Sequence, residues 1–246
     1  MNPYGKKFAE FYDKRFGVYA DKSAPCLLRF FSAQPAAAPF PRVLDLGCGT
    51  GQLAFHFLEA GYPFTGVDLS KEMLTLAQER CRRHLIGGKA EFIEADISQF
   101  EIPGPFGMVV STYNSLNHLE TEGALRGCFR SVQKSLAPSG IFLFDYHTEL
   151  GLTGWVGKES SSEEGESVQS RGEFNASSGK AVMRLEITVK GDVFQSVIEN
   201  QTFPLKQIEE WLLDEGFQEV RFAEMTQLDK NCSDPEMEKR VVVIAS

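Results

Sequence analysis

Long apolar runs are missing from this chain of 246 residues. No stretch approaches the roughly 20 apolar residues that a membrane-crossing helix needs, so no membrane partner is expected. The opening stretch carries Lys6, Lys7, Glu10, Asp13, Lys14 and Arg15 and lacks the apolar segment of a secretory leader. The expected location is therefore the cytoplasm. Cysteine is sparse and scattered, at positions 26, 48, 81, 128 and 232. An odd number, widely spaced and with no C-x-x-C pair, excludes a disulfide framework and a zinc cluster. No metal is expected. Positive charge is short as well: the net charge is −9, and the densest basic cluster is Arg80, Arg82 and Arg83. Binding to nucleic acid requires a basic face that neutralises phosphates, so nucleic acid is disfavoured as a partner. Nothing in the sequence speaks to an oligomeric state.

What is present is ordinary globular composition, 42% hydrophobic and 24% charged, arranged in three textures. Residues 3–20 place Tyr4, Phe8, Phe11, Tyr12 and Tyr19 at helical spacing, and a second helix is expected from Ser23 with Pro25 in its first turn. A proline-rich connector, Gln34–Pro41, follows. From Arg42 short apolar runs alternate with helical patterns. Strands are expected at Val43–Leu46, Phe64–Asp68, Ala90–Glu94, Met108–Thr112 and Gly140–Tyr146. Helices are expected between them at about 51–60, 71–85 and 121–137, and a loop or single turn between the third and fourth strands. Such alternation predicts an α/β fold with a parallel sheet covered on both faces.

Residues 151–166 are rich in Gly, Ser and Glu and read as a mobile loop. Beyond them Met183, Leu185, Ile187 and Val189 alternate with polar residues, and Gly191-Asp192 reads as a hairpin turn into Val193–Phe203. A turn at Ala176–Gly179 completes a three-stranded antiparallel insertion. The α/β pattern then resumes with a helix over Pro204–Glu215 and strands at Phe217–Met225 and Arg240–Ala245. The expected organisation is residues 1–40, an α/β body of 41–150 and 204–246, and an insertion of 151–203.

The chemistry-bearing segment is Val43–Gly51, in which a strand enters a bend with Gly47, Gly49 and Gly51 and leaves into a helix. Glycine admits positive φ and removes the Cβ, so a ligand can lie on bare backbone at a helix N-terminus. The second strand ends in Asp68, whose carboxylate can accept from both hydroxyls of a ribose. A dinucleotide loop would require glycine at 52, where Gln52 stands. With Asp45 before it, the bend suits a nucleoside with an amino-acid tail better than a pyrophosphate.

On these residues the chain resembles the class I S-adenosylmethionine-dependent methyltransferases. The resemblance covers about residues 40–147 and 204–246. It implies a Rossmann-like, mostly parallel seven-stranded sheet with the last strand antiparallel, matching the seven strands counted in the body. It implies that Asp45, Gly47, Cys48, Gly49 and Gly51 hold the methionine portion of S-adenosyl-L-methionine. Asp68 would hold the ribose, Leu69 and Met73 would pack on the adenine, and Asp96 with Ile97 would lie near its amino group. Ser111 and Tyr113 follow the fourth strand, beside cofactor and substrate.

A narrower resemblance, on Phe8–Asp13, Asn117-His-Leu119 and the insertion, is to sugar N,N-dimethyltransferases and to glycine N-methyltransferase-like enzymes. It implies that residues 1–40 are a helical lid and that the insertion is a small β subdomain facing the substrate. Tyr4, Tyr12 and Tyr19 then either face the methionine end or acceptor or form a core stripe. His118 is the candidate general base, against the alternative of a hydrogen-bonded first-turn histidine. Asn117, Tyr146 and His147 are candidate acceptor contacts. The expected activity is methyl transfer to nitrogen or oxygen of a small-molecule acceptor. The alternatives are a protein or RNA methyltransferase, a non-catalytic cofactor-binding protein on the same fold, and a nicotinamide dehydrogenase, against which Gln52 argues.

Overall fold

The computed structural model describes residues 5–163 and 165–246; Tyr4, a candidate acceptor contact, lies outside the described residues. Two helices open the chain, α1 (Lys6–Arg15) and α2 (Gly17–Ser32). The periodicity over 3–20 had predicted one helix. The break falls at Phe16, which leaves helical geometry (φ −107°, ψ 0°) and packs its ring against Tyr12 and Tyr113 at 5.1 and 5.9 Å. The second helix starts at Gly17, not Ser23, so Pro25 sits inside it. A mid-helix proline forfeits one backbone bond. Burial of Leu27, Phe30 and Phe31 against the body offsets that loss.

The α/β body begins with β1 (Val43–Leu46), α3 (Gln52–Glu59), β2 (Phe64–Asp68), α4 (Lys71–Arg80), α5 (Arg82–Ile86) and β3 (Ala90–Glu94). Residues 95–105 form no helix. Next come β4 (Phe106–Ser111), a single 3-10 turn at Ser115–His118, α6 (Glu122–Ser135), β5 (Leu136–His147) and α7 (Glu149–Thr153). Helix starts follow side-chain chemistry: Ser70 accepts from the Met73 amide, and Thr121 from the Ala124 amide, both at 3.2 Å.

The insertion has four strands, β6 (Gly157–Glu163), β7 (Glu166–Asn175), β8 (Lys180–Val189) and β9 (Asp192–Gln201), not three. The segment expected as a mobile loop supplies β6, paired antiparallel with β7 from Gly157↔Gly172 to Glu163↔Glu166. Its serines and charges are those of an exposed edge strand, which loop composition imitates. The last hairpin turns on Lys190-Gly191, one residue earlier than expected, with both residues at positive φ as a two-residue turn requires.

The chain ends with α8 (Leu205–Asp214), β10 (Val220–Ala223) and β11 (Arg240–Ala245). The main sheet runs β10-β11-β5-β4-β1-β2-β3, with β11 antiparallel to both neighbours and β1 to β5 mutually parallel. This is the seven-stranded Rossmann-like sheet with its last strand reversed. One core lies between the sheet and α6 and α8, around Phe129, Phe142 and Leu212; the other lies against α2 and α3, around Phe31, Phe57 and Leu143. A third cluster joins Phe8 and Phe11 of α1 to Leu185 and Ile187 of β8. The chain order reverses between β1 and β4, so their carboxyl ends open a crevice where α/β sheets bind ligands.

Candidate active site

At that crevice the glycine bend and the second-strand acid meet. Gly47, Gly49 and Gly51 all take positive φ, 74°, 52° and 73°. A Cβ on Gly47 would run into Ser115, and one on Gly51 into Ala77 at 2.9 Å. At Gly49 the nearest atom would be the Tyr12 ring at 3.8 Å, so this position is bare toward the cavity. The Gly49 amide donates to Asp68 Oδ2 and the Ser70 amide to Asp68 Oδ1, both at 2.9 Å. Burial raises the Asp68 pKa against the pull of these amides.

A cavity of about 1190 Å³ extends from this bend. Of the candidate cofactor residues, Tyr12, Gly47, Gly49, Asp68, Leu69 and Met73 line it, as do Asp96 and Ile97. Leu69 is 67% exposed, so its side chain is open to a ligand in the cavity. Tyr19, Asp45 and Cys48 line a small adjoining recess that shares Tyr12, Gly47 and Gly49 with the main cavity. There Asp45 is buried with Oδ1 lacking a partner among the described residues. Burial first, then Asp68 and Asp145, push its pKa up to about 8. An orphaned buried carboxylate beside a bare bend fits the ammonium of an amino-acid tail. Gly51 and Ser111 stand behind the site. Ser111 donates to the Leu46 carbonyl at 2.7 Å and ties β4 to β1.

The candidate acceptor residues separate into two groups. His118, Tyr113 and His147 line the cavity. His118 Nδ1 lies 2.9 Å from the Glu199 carbonyl, which fixes the tautomer with the lone pair on Nε2. Burial lowers its pKa. His147 is pushed down to about 4 by burial and then by Arg240, whose guanidinium donates to its Nε2 at 3.0 Å. Asn117 and Tyr146 do not line the cavity. Asn117 donates to the His147 and Gln201 carbonyls and accepts from the His147 amide. The Tyr146 hydroxyl donates to the Gln201 carbonyl and accepts from the Phe203 amide.

Beneath these residues lies a polar network that sequence reasoning missed. Asp145 accepts from the Tyr19 hydroxyl, from the Tyr113 and Asn114 amides at 2.8 and 2.5 Å, and from Arg240 at 3.4 Å. Tyr113 and Asn114 both take positive φ, 62° and 57°. Asn114 Nδ2 donates to Asn200, which abuts His118. Burial works against the Arg240 charge, yet Asp145 beside it holds its pKa above the ordinary value. The one available signal was Asp145 itself, a lone charge in the apolar run Ile141–Tyr146.

Comparison with known proteins agrees with this geometry. A profile of the methyltransferase-domain family matches residues 43–140. The YqeM methyltransferase candidate of Bacillus subtilis (strain 168) is 31% identical over 184 residues, spanning 72% of this chain and 73% of that protein. The chain belongs to the class I S-adenosylmethionine-dependent methyltransferases. The methyltransferase also matches the Streptomyces venezuelae dTDP-3-amino-3,4,6-trideoxy-alpha-D-glucopyranose N,N-dimethyltransferase, at 30% identity over 46% of each chain. Its fold is that of an S-adenosylmethionine-dependent methyltransferase from Clostridium acetobutylicum ATCC 824, with a TM-score of 0.80, 20% identity and coverage of 98% and 97%. The methyltransferase thus takes S-adenosylmethionine as its cofactor. Among the described residues no helix is long and apolar enough to cross a membrane.

Proposed function

We propose that this methyltransferase acts on a nitrogen or oxygen of a small-molecule acceptor held in the cavity, with His118 as the general base. The observation that carries the reading is that His118 lines the same cavity as the Gly47–Gly49 bend and Asp68. The similarity to an enzyme named for an amino-sugar acceptor supports the small-molecule class.

When bound, S-adenosylmethionine supplies a methyl group already activated on a sulfonium. In this reading Asp68 holds the ribose hydroxyls, Asp45 the ammonium, and Leu69 and Met73 the adenine. Asp68 places negative charge beside a ligand that carries two positive charges, and Asp45, held protonated by burial, gains its charge as the ammonium docks. Tyr12, Phe16 and Tyr113 exclude water from the reacting end. His118 is neutral near pH 7 because burial lowers its pKa, and its Nε2 accepts a proton from the acceptor. Orientation of the acceptor supplies much of the remaining rate.

A screen of amines and alcohols that reads S-adenosylhomocysteine release tests this. Turnover is expected with at least one acceptor, and His118→Ala should lower it by about 10²- to 10⁴-fold. An undiminished rate removes His118 from the mechanism.

A further inference from the structure

The cavity is larger than the roughly 300–1,000 Å³ of a site for one drug-sized molecule, so it has room for an acceptor beside the cofactor wall. The opposite wall is built by the insertion. Strand register sets the residues of one sheet face side by side: Val168, Ile187 and Phe194 in one row, Ser170, Leu185 and Ser196 in the next, Gly172, Met183 and Ile198 in the third. The first row packs on α1, where Phe11 meets Phe194 at 6.4 Å. At the third row Met183 and Ile198 are only half-buried and face the cavity, as does Val168. Trp155 closes this end; a Cβ on Gly172 would overlap its carbonyl. The result is a concave apolar seat, continuous with the cofactor cleft, whose side chains are incompletely covered by protein. His118 lines the same cavity and bonds the carbonyl of Glu199, the residue after Ile198.

Charge narrows the occupant further. Among the described residues that line the cavity, Arg240 is the one strong cation. Its guanidinium already pairs with Asp145 and donates to Asn114 and His147. A phosphorylated or nucleotide-linked acceptor finds little here to neutralise it.

We propose that the acceptor is amphipathic: an amine or alcohol on an apolar body of several carbons, seated on Val168, Met183 and Ile198 with its nucleophile toward His118. This rests on the reading of the cavity as an acceptor site. Straight-chain primary amines from butylamine to octylamine are the probes, titrated by calorimetry into the protein loaded with S-adenosylhomocysteine. Each methylene that enters the seat should tighten binding about fourfold, the equivalent of about 0.8 kcal/mol. Met183→Gln and Ile198→Asn should each cut that increment below twofold, with S-adenosylhomocysteine affinity unchanged. Affinity independent of chain length in the wild type overturns the proposal. So does an increment undiminished in both variants, or glucosamine 6-phosphate binding as tightly as octylamine. The amines that bind are then offered with S-adenosylmethionine. A chain-length gradient without methylation leaves the apolar seat standing and sinks the acceptor reading; methylation without a gradient does the reverse.

Discussion

Replacing Asp145 with asparagine strikes the point on which the floor of the cavity turns. Every neighbour of that carboxylate is a donor: the Tyr19 hydroxyl, the Tyr113 and Asn114 amides, and Arg240. Asparagine keeps one acceptor and presents an NH2 group where a second is needed. Tyr113 and Asn114 would lose part of the grip that holds them at positive φ, a conformation that costs about 1–2 kcal/mol per non-glycine residue. Arg240, three-quarters covered by its surroundings, would lose its counter-charge. Removing one partner of a buried ion pair costs about 3–5 kcal/mol. For a chain of this size each kcal/mol lowers Tm by roughly 2–4 °C, so the expected fall in thermal melts followed by circular dichroism is about 6–20 °C. Adding Arg240→Met should recover part of the loss, because the stranded cation is its largest share. A single-variant shift below about 3 °C, against that expectation, would refute the reasoning.

Three other outcomes follow from the site. His118 acts as a base only when neutral, and burial lowers its pKa from the ordinary 6.5; the acid limb of kcat/KM should therefore have its midpoint below pH 6.5, and His118→Gln should lack that limb. If the limb persists unchanged in the variant, another group titrates. Asp45 is protonated at neutral pH, with its pKa near 8. Docking an ammonium against it should release a proton, seen as a dependence of binding heat on buffer ionisation enthalpy at pH 7. Asp45→Asn should abolish that dependence, and an unchanged dependence places the ammonium elsewhere. Gly49→Ala sets a methyl group into the cavity at φ 52°. It should weaken S-adenosylhomocysteine binding at least tenfold while costing about 1–2 kcal/mol of stability; wild-type affinity would mean that the bend does not touch the ligand.

The parts legible in the sequence were those carried by local pattern. Glycines at 47, 49 and 51 need positive φ, Asp68 ends a strand, and the apolar strands expected at 43–46 and 108–112, the latter found at Phe106–Ser111, demand a covered parallel sheet. Where local chemistry is ambiguous the reading failed. A serine- and glutamate-rich edge strand looks like a loop, and Pro25 looks like a helix start because propensity does not register the burial of Phe30 and Phe31 around it. The Asp145 network was invisible for another reason. Its members come from α2, β5, β9, β11 and the turn after β4, joined across 31 to 126 residues of chain. For Asn117 and Tyr146 the side-chain direction was not readable, and both bond to main chain instead of lining the cavity.

The most direct measurement is a calorimetric titration of S-adenosylhomocysteine into the wild type and Asp68→Ala, with circular dichroism showing both folded. Loss of charged hydrogen bonds to a ribose is worth about 1.5–3 kcal/mol, so the variant should bind roughly 10- to 150-fold more weakly. Equal affinity in the two proteins would contradict the placement of the cofactor between the glycine bend and the acid at the end of β2.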